Sequence, residues 1–210
     1  MRPPVERRVG DRIRAGAKEW TAQDVVRGSW DLKLCPATGL SWSSPCWWLL
    51  FGVAGGGKST LALQIAAQCH RVVIASLEES PGPPMARRLT LAGMAHRRDV
   101  TILTAPALDE LVAAARDRAC IVVDSISASV FTAEDLRGLC DAGAELVIGV
   151  LHATKAGDYR GPTTFVHEAD VVLSVAAGRW TSGKNRFGQS GLSGAVAGFD
   201  SDSPSNEVSP

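Results

Sequence analysis

The sequence predicts an α/β domain with a mostly parallel sheet flanked by helices and a C-terminal β-hairpin. Between residues 47 and 176, short apolar runs typical of buried strands alternate with segments rich in helix-forming residues. A glycine-rich segment, residues 52–59, follows the first apolar run and precedes the first helical segment. Beyond Gly178 a hairpin is expected. The length of 210 residues suits one domain with a substantial core.

Each element is predicted from local composition. The first strand, residues 47–51, is a continuous apolar run, as expected for a strand buried on both faces. The helix after it carries Leu61 and Ile65 one turn apart on one face. Thr132 is the expected cap of a later helix. Further strands are predicted at residues 71–76, 100–103, 119–123, 146–151 and 170–176, and further helices at residues 83–94, 106–118 and 132–141.

Composition divides the chain into three parts. Residues 1–46 form a basic arm and an irregular lead-in, residues 47–199 form the core, and residues 200–210 form an acidic tail rich in Ser and Pro that is predicted to be disordered. With 22 Lys and Arg against 22 Asp and Glu, the formal charge is zero, which argues against a chain that is basic throughout but not against a local basic patch.

Composition also bounds the cellular setting. The sequence has no apolar run long enough for a membrane span and no apolar core of a secretory signal, so a cytoplasmic protein without a membrane partner is expected. The five cysteines form no C-x-x-C pair. We therefore expect reduced thiols and no zinc site, since Cys35 and Cys46 supply at most half of one.

The glycine-rich segment matches the phosphate-binding pattern G-x-x-x-x-G-K-[ST]. Glycines let backbone N–H groups point at a triphosphate, and the following helix adds its positive N-terminal end. Lys58 supplies a cation for the β- and γ-phosphates, and Ser59 supplies a hydroxyl for Mg²⁺. ATP and Mg²⁺ are the expected cofactors. The predicted nucleotide-binding residues are Gly52, Gly55, Gly56, Gly57, Lys58, Ser59 and Thr60.

Three further strand ends carry candidate site residues, and the carboxyl ends of parallel strands line one edge of a sheet. Asp124 follows an apolar strand and is the predicted second metal ligand, acting through the metal's water shell. Glu78 and Glu79 follow another strand; one of them would activate the attacking water, with a slight preference for Glu79. His152 follows a third strand and could sense the γ-phosphate. A capping Asp, a solvated acidic turn and a structural His are the alternatives.

Several separated segments resemble the RecA-like ATPase core of the bacterial DNA repair protein RadA (Sms) family. Besides the phosphate-binding loop, they are residues 78–80, residues 122–126, and residues 152–155 leading to Gly161, Pro162, His167 and Asp170. The most specific is residues 184–188, Lys-Asn-Arg-Phe-Gly, which looks like the signature of that family. Family members also have an N-terminal zinc module and a C-terminal Lon-like domain, and we expect this chain to lack both.

The resemblance implies a RecA-like fold that assembles into a homo-oligomeric ring, with Mg-ATP hydrolysed at subunit interfaces during DNA recombination or repair. It implies that Lys184 and Arg186 act on a neighbour's nucleotide or on DNA. Lys155 and Arg160, in the segment after His152, would contact DNA phosphates without reading sequence. A nucleotide-dependent interaction module, KaiC-like or helicase-associated and without motor activity on DNA, is the alternative.

Overall fold

The structure is a computed structural model that describes residues 21–28, 31–153 and 163–199. The predictions for the basic arm, for the tail over residues 200–210, and for Lys155 and Arg160 lie outside the described residues.

Strands and helices alternate along the described chain, as predicted. The strands are β1 (Leu32–Leu34), β2 (Ser41–Ser43), β3 (Cys46–Gly52), β4 (Val72–Ser76), β5 (Val100–Thr104), β6 (Cys120–Asp124), β7 (Leu146–His152), β8 (Val171–Ala176), β9 (Arg179–Asn185) and β10 (Ser193–Ala195). The helices are α1 (Ala22–Arg27), α2 (Lys58–Ala66), α3 (Pro83–Leu91), α4 (Leu108–Ala115), α5 (Ala133–Asp141) and α6 (Thr164–Glu168), with a short 3₁₀ helix at Ile126–Ala128.

A mainly parallel sheet of eight strands organises the fold. Its order is β10-β9-β8-β3-β7-β6-β4-β5. The six strands from β8 to β5 are parallel, whereas β9 and β10 are antiparallel to their neighbours. The predicted α/β class, the parallel sheet and the C-terminal β-hairpin are therefore confirmed.

The structure adds elements that the sequence did not predict. α6 has only five residues, too few to show a helical period. The lead-in was expected to be irregular, but it contains α1 and the antiparallel pair β1–β2. Trp42 of β2 is almost fully buried, so this pair packs on the core. Helix ends also differ from prediction by up to three residues, as the end of α3 at Leu91 illustrates.

The sheet separates two hydrophobic layers. Successive side chains of β3 point to opposite faces, so Trp48 and Leu50 join the layer beneath α2 and α3, while Trp47 and Leu49 join the layer beneath α4, α5 and α6. Burial on both faces explains why β3 reads as an uninterrupted apolar run. In the described residues, no helix is long and apolar enough to cross a membrane.

Asp170 joins three elements at the amino edge of the sheet. Its carboxylate accepts from the Trp47 backbone N–H at 2.9 Å and from both terminal nitrogens of Arg137 at 3.0 and 3.1 Å. Its own N–H donates to the Trp47 carbonyl at 2.8 Å. The Arg137 guanidinium also lies 5.6 Å from the centre of the Trp47 ring. These contacts fix the start of β8 against β3 and α5.

Replacing Asp170 is expected to destabilise the domain. Asp170→Ala removes the partner of the Trp47 N–H and the carboxylate partner of the half-buried Arg137, which should lower the free energy of unfolding by about 3 kcal/mol. Asp117→Ala is the matched control, because its pair with Arg71 is at the surface and should contribute less than about 1 kcal/mol. Urea unfolding measures both, and equal losses would contradict the role assigned to Asp170.

Candidate active site

The loop between β3 and α2 has a backbone that depends on glycine. Gly52, Gly55 and Gly57 have φ angles of +156°, +71° and +102°, which side chains with a Cβ atom rarely adopt. Gly57 is the N-cap of α2, so the nine-residue helix begins at Lys58 and directs its free N–H groups at the loop. The result is a concave arrangement of backbone donors at a helix N-terminus, the geometry that binds phosphate.

The end of β8 supports this loop from behind. A Cβ atom built on Gly52 would lie 1.9 Å from the Val175 carbonyl oxygen, and one on Gly56 would lie 3.0 Å from the same oxygen. The Gly178 N–H donates to the Gly56 carbonyl at 3.1 Å. Glycine is therefore required at positions 52 and 56 because another strand touches the backbone there. At position 55 glycine is required by the backbone angle alone, since no atom lies within 4 Å of a Cβ atom built on Gly55.

Lys58 lies inside the loop. Its side chain is buried, and its ammonium donates to the Val53 carbonyl at 2.7 Å. Burial lowers the pKa of Lys58, and the negative charges of Asp124 and Glu78 oppose that shift. The next residues, Ser59 and Thr60, occupy the first turn of α2. The Lys58 ammonium is thus held by the loop and attracted by two carboxylates, that of Asp124 at the end of β6 and that of Glu78 after β4.

Asp124 and Ser59 meet at the start of α2. Their side chains share a hydrogen bond. Burial raises the pKa of Asp124, while this hydrogen bond and the charge of Arg88 oppose the shift. A hydroxyl and a carboxylate provide the oxygen ligands that Mg²⁺ prefers, so the pair fits that ion, with the remaining ligands coming from water and phosphate.

Glu78 is the acid that enters the site. Ser125 donates its hydroxyl to Oε1, and the Nε2 atom of His152 lies 3.0 Å from Oε2. Burial alone would raise the pKa of Glu78, but the hydrogen bonds to Ser125 and His152 outweigh it, and the net pKa is lowered. Glu78 is therefore an ionised carboxylate near Lys58, able to accept a proton.

Glu79 points elsewhere. Its carboxylate accepts from Arg88 of α3, and its backbone carbonyl accepts from the Ser76 hydroxyl. The two adjacent acids diverge, as expected for consecutive residues. The slight preference for Glu79 as the base stays a prediction, and the contacts give the two acids different partners.

His152 connects three parts of the site. It lies opposite Gly52 in the β3–β7 register, and its N–H donates to the Ser127 hydroxyl at 3.0 Å. The N–H of Ala153 donates to the Gly52 carbonyl at 2.9 Å. His152 thus touches Glu78, adjoins the glycine loop and precedes the segment over residues 154–162.

Lys184 and Arg186 lie far from the loop of their own chain. β9 runs antiparallel to β8, so Asn185 pairs with Val171 at the amino edge, whereas the loop lies at the carboxyl edge. The six residues of β3 from Trp47 to Gly52, five steps along the strand, span about 16 Å between these edges. The structure does not bring the predicted trans-acting residues to the phosphate loop of the same chain.

A cavity of about 360 Å³ opens beside the carboxyl edge, between the segment after β6 and the start of α6. Ser127, Ser129, Phe131, Thr132, Thr164 and Phe165 contribute to its walls. Val130, also on its rim, is 93% exposed. Hydroxyls and aromatic rings therefore line a concave surface that starts two residues beyond Asp124.

Sequence reasoning missed two residues of the site. Ser125 is fully buried and orients Glu78; its position directly after Asp124 at a strand end could have identified it. Arg88 has no comparable signal, since its contact with Glu79 depends on how α3 returns over the sheet.

The sheet and the phosphate-binding loop together define a class, the P-loop proteins with an α/β architecture consistent with a RecA-like fold. Within that class, the chain is similar to the DNA repair protein RadA of Treponema pallidum (strain Nichols). The two are 31% identical over an alignment of 169 residues that covers 67% of this chain and 35% of RadA. The chain thus spans about a third of the length of that relative. No protein-family model matches the sequence. The similarity suggests a RadA-like family.

The contact between Gly52 and β8 makes a specific prediction. Gly52→Ala places a methyl group 1.9 Å from the Val175 carbonyl, so β8 or the loop must shift, at a cost of about 3 kcal/mol or more. Gly55→Ala is the control, since its strain comes from φ alone and should cost about 1 kcal/mol. Thermal unfolding compares them, and an equal loss of stability would refute the predicted contact with β8.

Proposed function

We propose that this chain is a RadA-type ATPase that hydrolyses Mg-ATP and couples hydrolysis to DNA in recombination or repair. The observation that carries the proposal is the network in which Glu78 is held by Ser125 and His152 near Lys58. The similarity to RadA supports the connection with DNA repair.

The loop would bind the phosphates through backbone N–H groups, those of Gly55, Gly56 and Gly57 and the first turn of α2. Lys58 would exchange the Val53 carbonyl for phosphate oxygens. Ser59 and Asp124 would hold Mg²⁺, which when bound neutralises charge on the β- and γ-phosphates.

Glu78 would orient the attacking water and take its proton. Ser125 and His152 hold one carboxylate oxygen each, which limits rotation of the side chain. His152 would also link this carboxylate to the segment that follows β7, as a sensor of the γ-phosphate should. Glu79 would support Glu78 indirectly by fixing α3 through Arg88.

The opposite placement of the loop and Lys184–Arg186 favours a site shared between subunits. In a ring of identical chains, the amino edge of one subunit would face the carboxyl edge of the next, so that a cation from Arg186 or Lys184 reaches a neighbour's nucleotide. A cation supplied across an interface stabilises charge on the transferred phosphoryl group.

DNA would bind at the carboxyl edge, along the cavity and the segment that carries Lys155 and Arg160. The hydroxyls of Ser127 and Thr164 suit phosphate contacts, and the exposed Val130 suits contact with bases. Such contacts do not read sequence, so single-stranded or branched DNA of any sequence is the expected ligand.

ATP turnover with and without single-stranded DNA tests the function. We expect turnover that DNA stimulates at low salt and that Lys58→Ala reduces about 100-fold or more. Thermal unfolding verifies that the variant is folded. Turnover that DNA does not change would contradict the coupling to DNA and favour the nucleotide-dependent interaction module. No turnover at all would contradict the proposed ATPase activity.

The adjacent acids provide a matched pair. Glu78→Gln keeps the shape of the side chain but removes the base, and should lower turnover about 100-fold or more. Glu79→Gln weakens only the pair with Arg88 and should lower it less than about tenfold. Nucleotide affinity is measured alongside and should change little in Glu78→Gln. A larger loss of turnover in Glu79→Gln than in Glu78→Gln would assign the role of base to Glu79.

A further inference from the structure

The segment that follows β10, residues 196–199, packs beside the phosphate-binding loop. The Val196 N–H donates to the carbonyl of Gly178, in the turn between β8 and β9, at 2.7 Å. Gln64 of α2 donates its side-chain amide to the Ala197 carbonyl, also at 2.7 Å. Hydrogen bonds to the β8–β9 turn and to α2 therefore hold this short segment in one place next to the loop.

Phe199 places an aromatic ring at the end of the loop. A Cβ atom built on Gly57, the N-cap of α2, would lie 3.1 Å from the Cδ2 atom of this ring, and one built on Gly178 would overlap its Cδ1 atom. The ring thus fills the space that a side chain at either glycine would need. Phe199 is only partly buried, so aromatic surface remains accessible beside the loop.

The strand order decides which end of a bound triphosphate meets this ring. Asp124 and Glu78, at the end of β6 and after β4, lie beyond β7 on one side of β3. Phe199 contacts the β8–β9 turn, and β8 lies on the other side of β3. A triphosphate with its γ-phosphate near Glu78 therefore directs its α-phosphate, ribose and base toward Phe199.

We propose that Phe199 stacks against the base of the bound nucleotide. This inference rests on the proposed function for the presence of a nucleoside triphosphate in the loop. Every base has an apolar face that an aromatic ring can contact without reading its hydrogen-bonding edge. The carbonyls of Val196 and Ala197 already accept hydrogen bonds within the chain, so the segment offers mainly ring surface. Purine nucleotides, with the larger base, are the ligands that this contact favours.

Calorimetric affinities for Mg-ATP and for inorganic tripolyphosphate, which has no ribose or base, test the contact. Phe199→Ala should weaken ATP binding about tenfold and change tripolyphosphate binding less than about twofold. Phe199→Tyr keeps the ring and should bind ATP as the unmodified protein does. Leu192→Ala is the matched control, because it removes a partly exposed apolar side chain at the other end of β10 and should change neither affinity.

Equal weakening of both ligands in Phe199→Ala would show that the ring only supports Gly57, and it would overturn the proposal, as would an unchanged affinity for ATP. Thermal unfolding verifies that each variant is folded. Phe199→Leu keeps an apolar side chain against Gly57 and serves if Phe199→Ala does not fold. The same difference between the two ligands is expected from it.

The size of the base gives a second readout. The unmodified protein should bind ATP more tightly than CTP, and this difference should shrink in Phe199→Ala because the ring that favours the larger base is gone. A preference for ATP that Phe199→Ala leaves intact would place the base against another residue and overturn the proposal. If neither ATP nor tripolyphosphate binds the unmodified protein, the proposed function and this inference fail together, whereas ATP that binds without being hydrolysed contradicts the proposed function alone.

Discussion

The in-register pairing of β3 with β7 is the constraint on which the site depends. It sets Gly52 opposite His152, so the glycine loop and the proposed sensor leave the sheet side by side. The next pairing, β7 with β6, brings Asp124 to the same edge, and β4 then adds Glu78. A shift of register by one residue would turn every side chain of a strand to the other face. In β3 such a shift would disrupt the packing of Trp47 and Trp48, which lie in different layers, and this packing keeps the chemistry at the strand end in place.

Charge balance explains which side chains can work at that edge. Lys58 and the carboxylates of Asp124 and Glu78 are buried to different degrees, and the attraction between Lys58 and the two carboxylates favours the charged form of each. Asp124, the more buried acid, has a raised pKa because desolvation dominates. Glu78 has a lowered pKa because Ser125 and His152 bond to its ionised form. Two acids with different environments can therefore take different roles, metal ligand and proton acceptor.

The fold was predictable because its signals are local. Apolar runs, the glycine loop and the cap at Thr132 each depend on a few adjacent residues. The predicted cap is present, since the Thr132 hydroxyl accepts a hydrogen bond from the Asp135 N–H. The convergence of Glu78, Asp124 and His152 also followed from one rule about strand ends. The different partners of Glu78 and Glu79 did not, since Arg88 and Ser125 reach the two acids from separate elements. α6 was missed because its five residues are too few to show a helical period, and the side chains of β9 and α5 that bind its last carbonyls are distant in sequence.

The two edges of the sheet carry different charged groups. The carboxyl edge holds the glycine loop, the proposed metal ligands and the proposed base, and the amino edge holds Lys184 and Arg186. At the amino edge, the Asp170 carboxylate binds Arg137 and Arg186 together with the backbone of β3. Because β3 and β8 run from one edge to the other, and Val175 of β8 touches Gly52 and Gly56 of the loop, the two strands that meet at Asp170 also support the glycine loop.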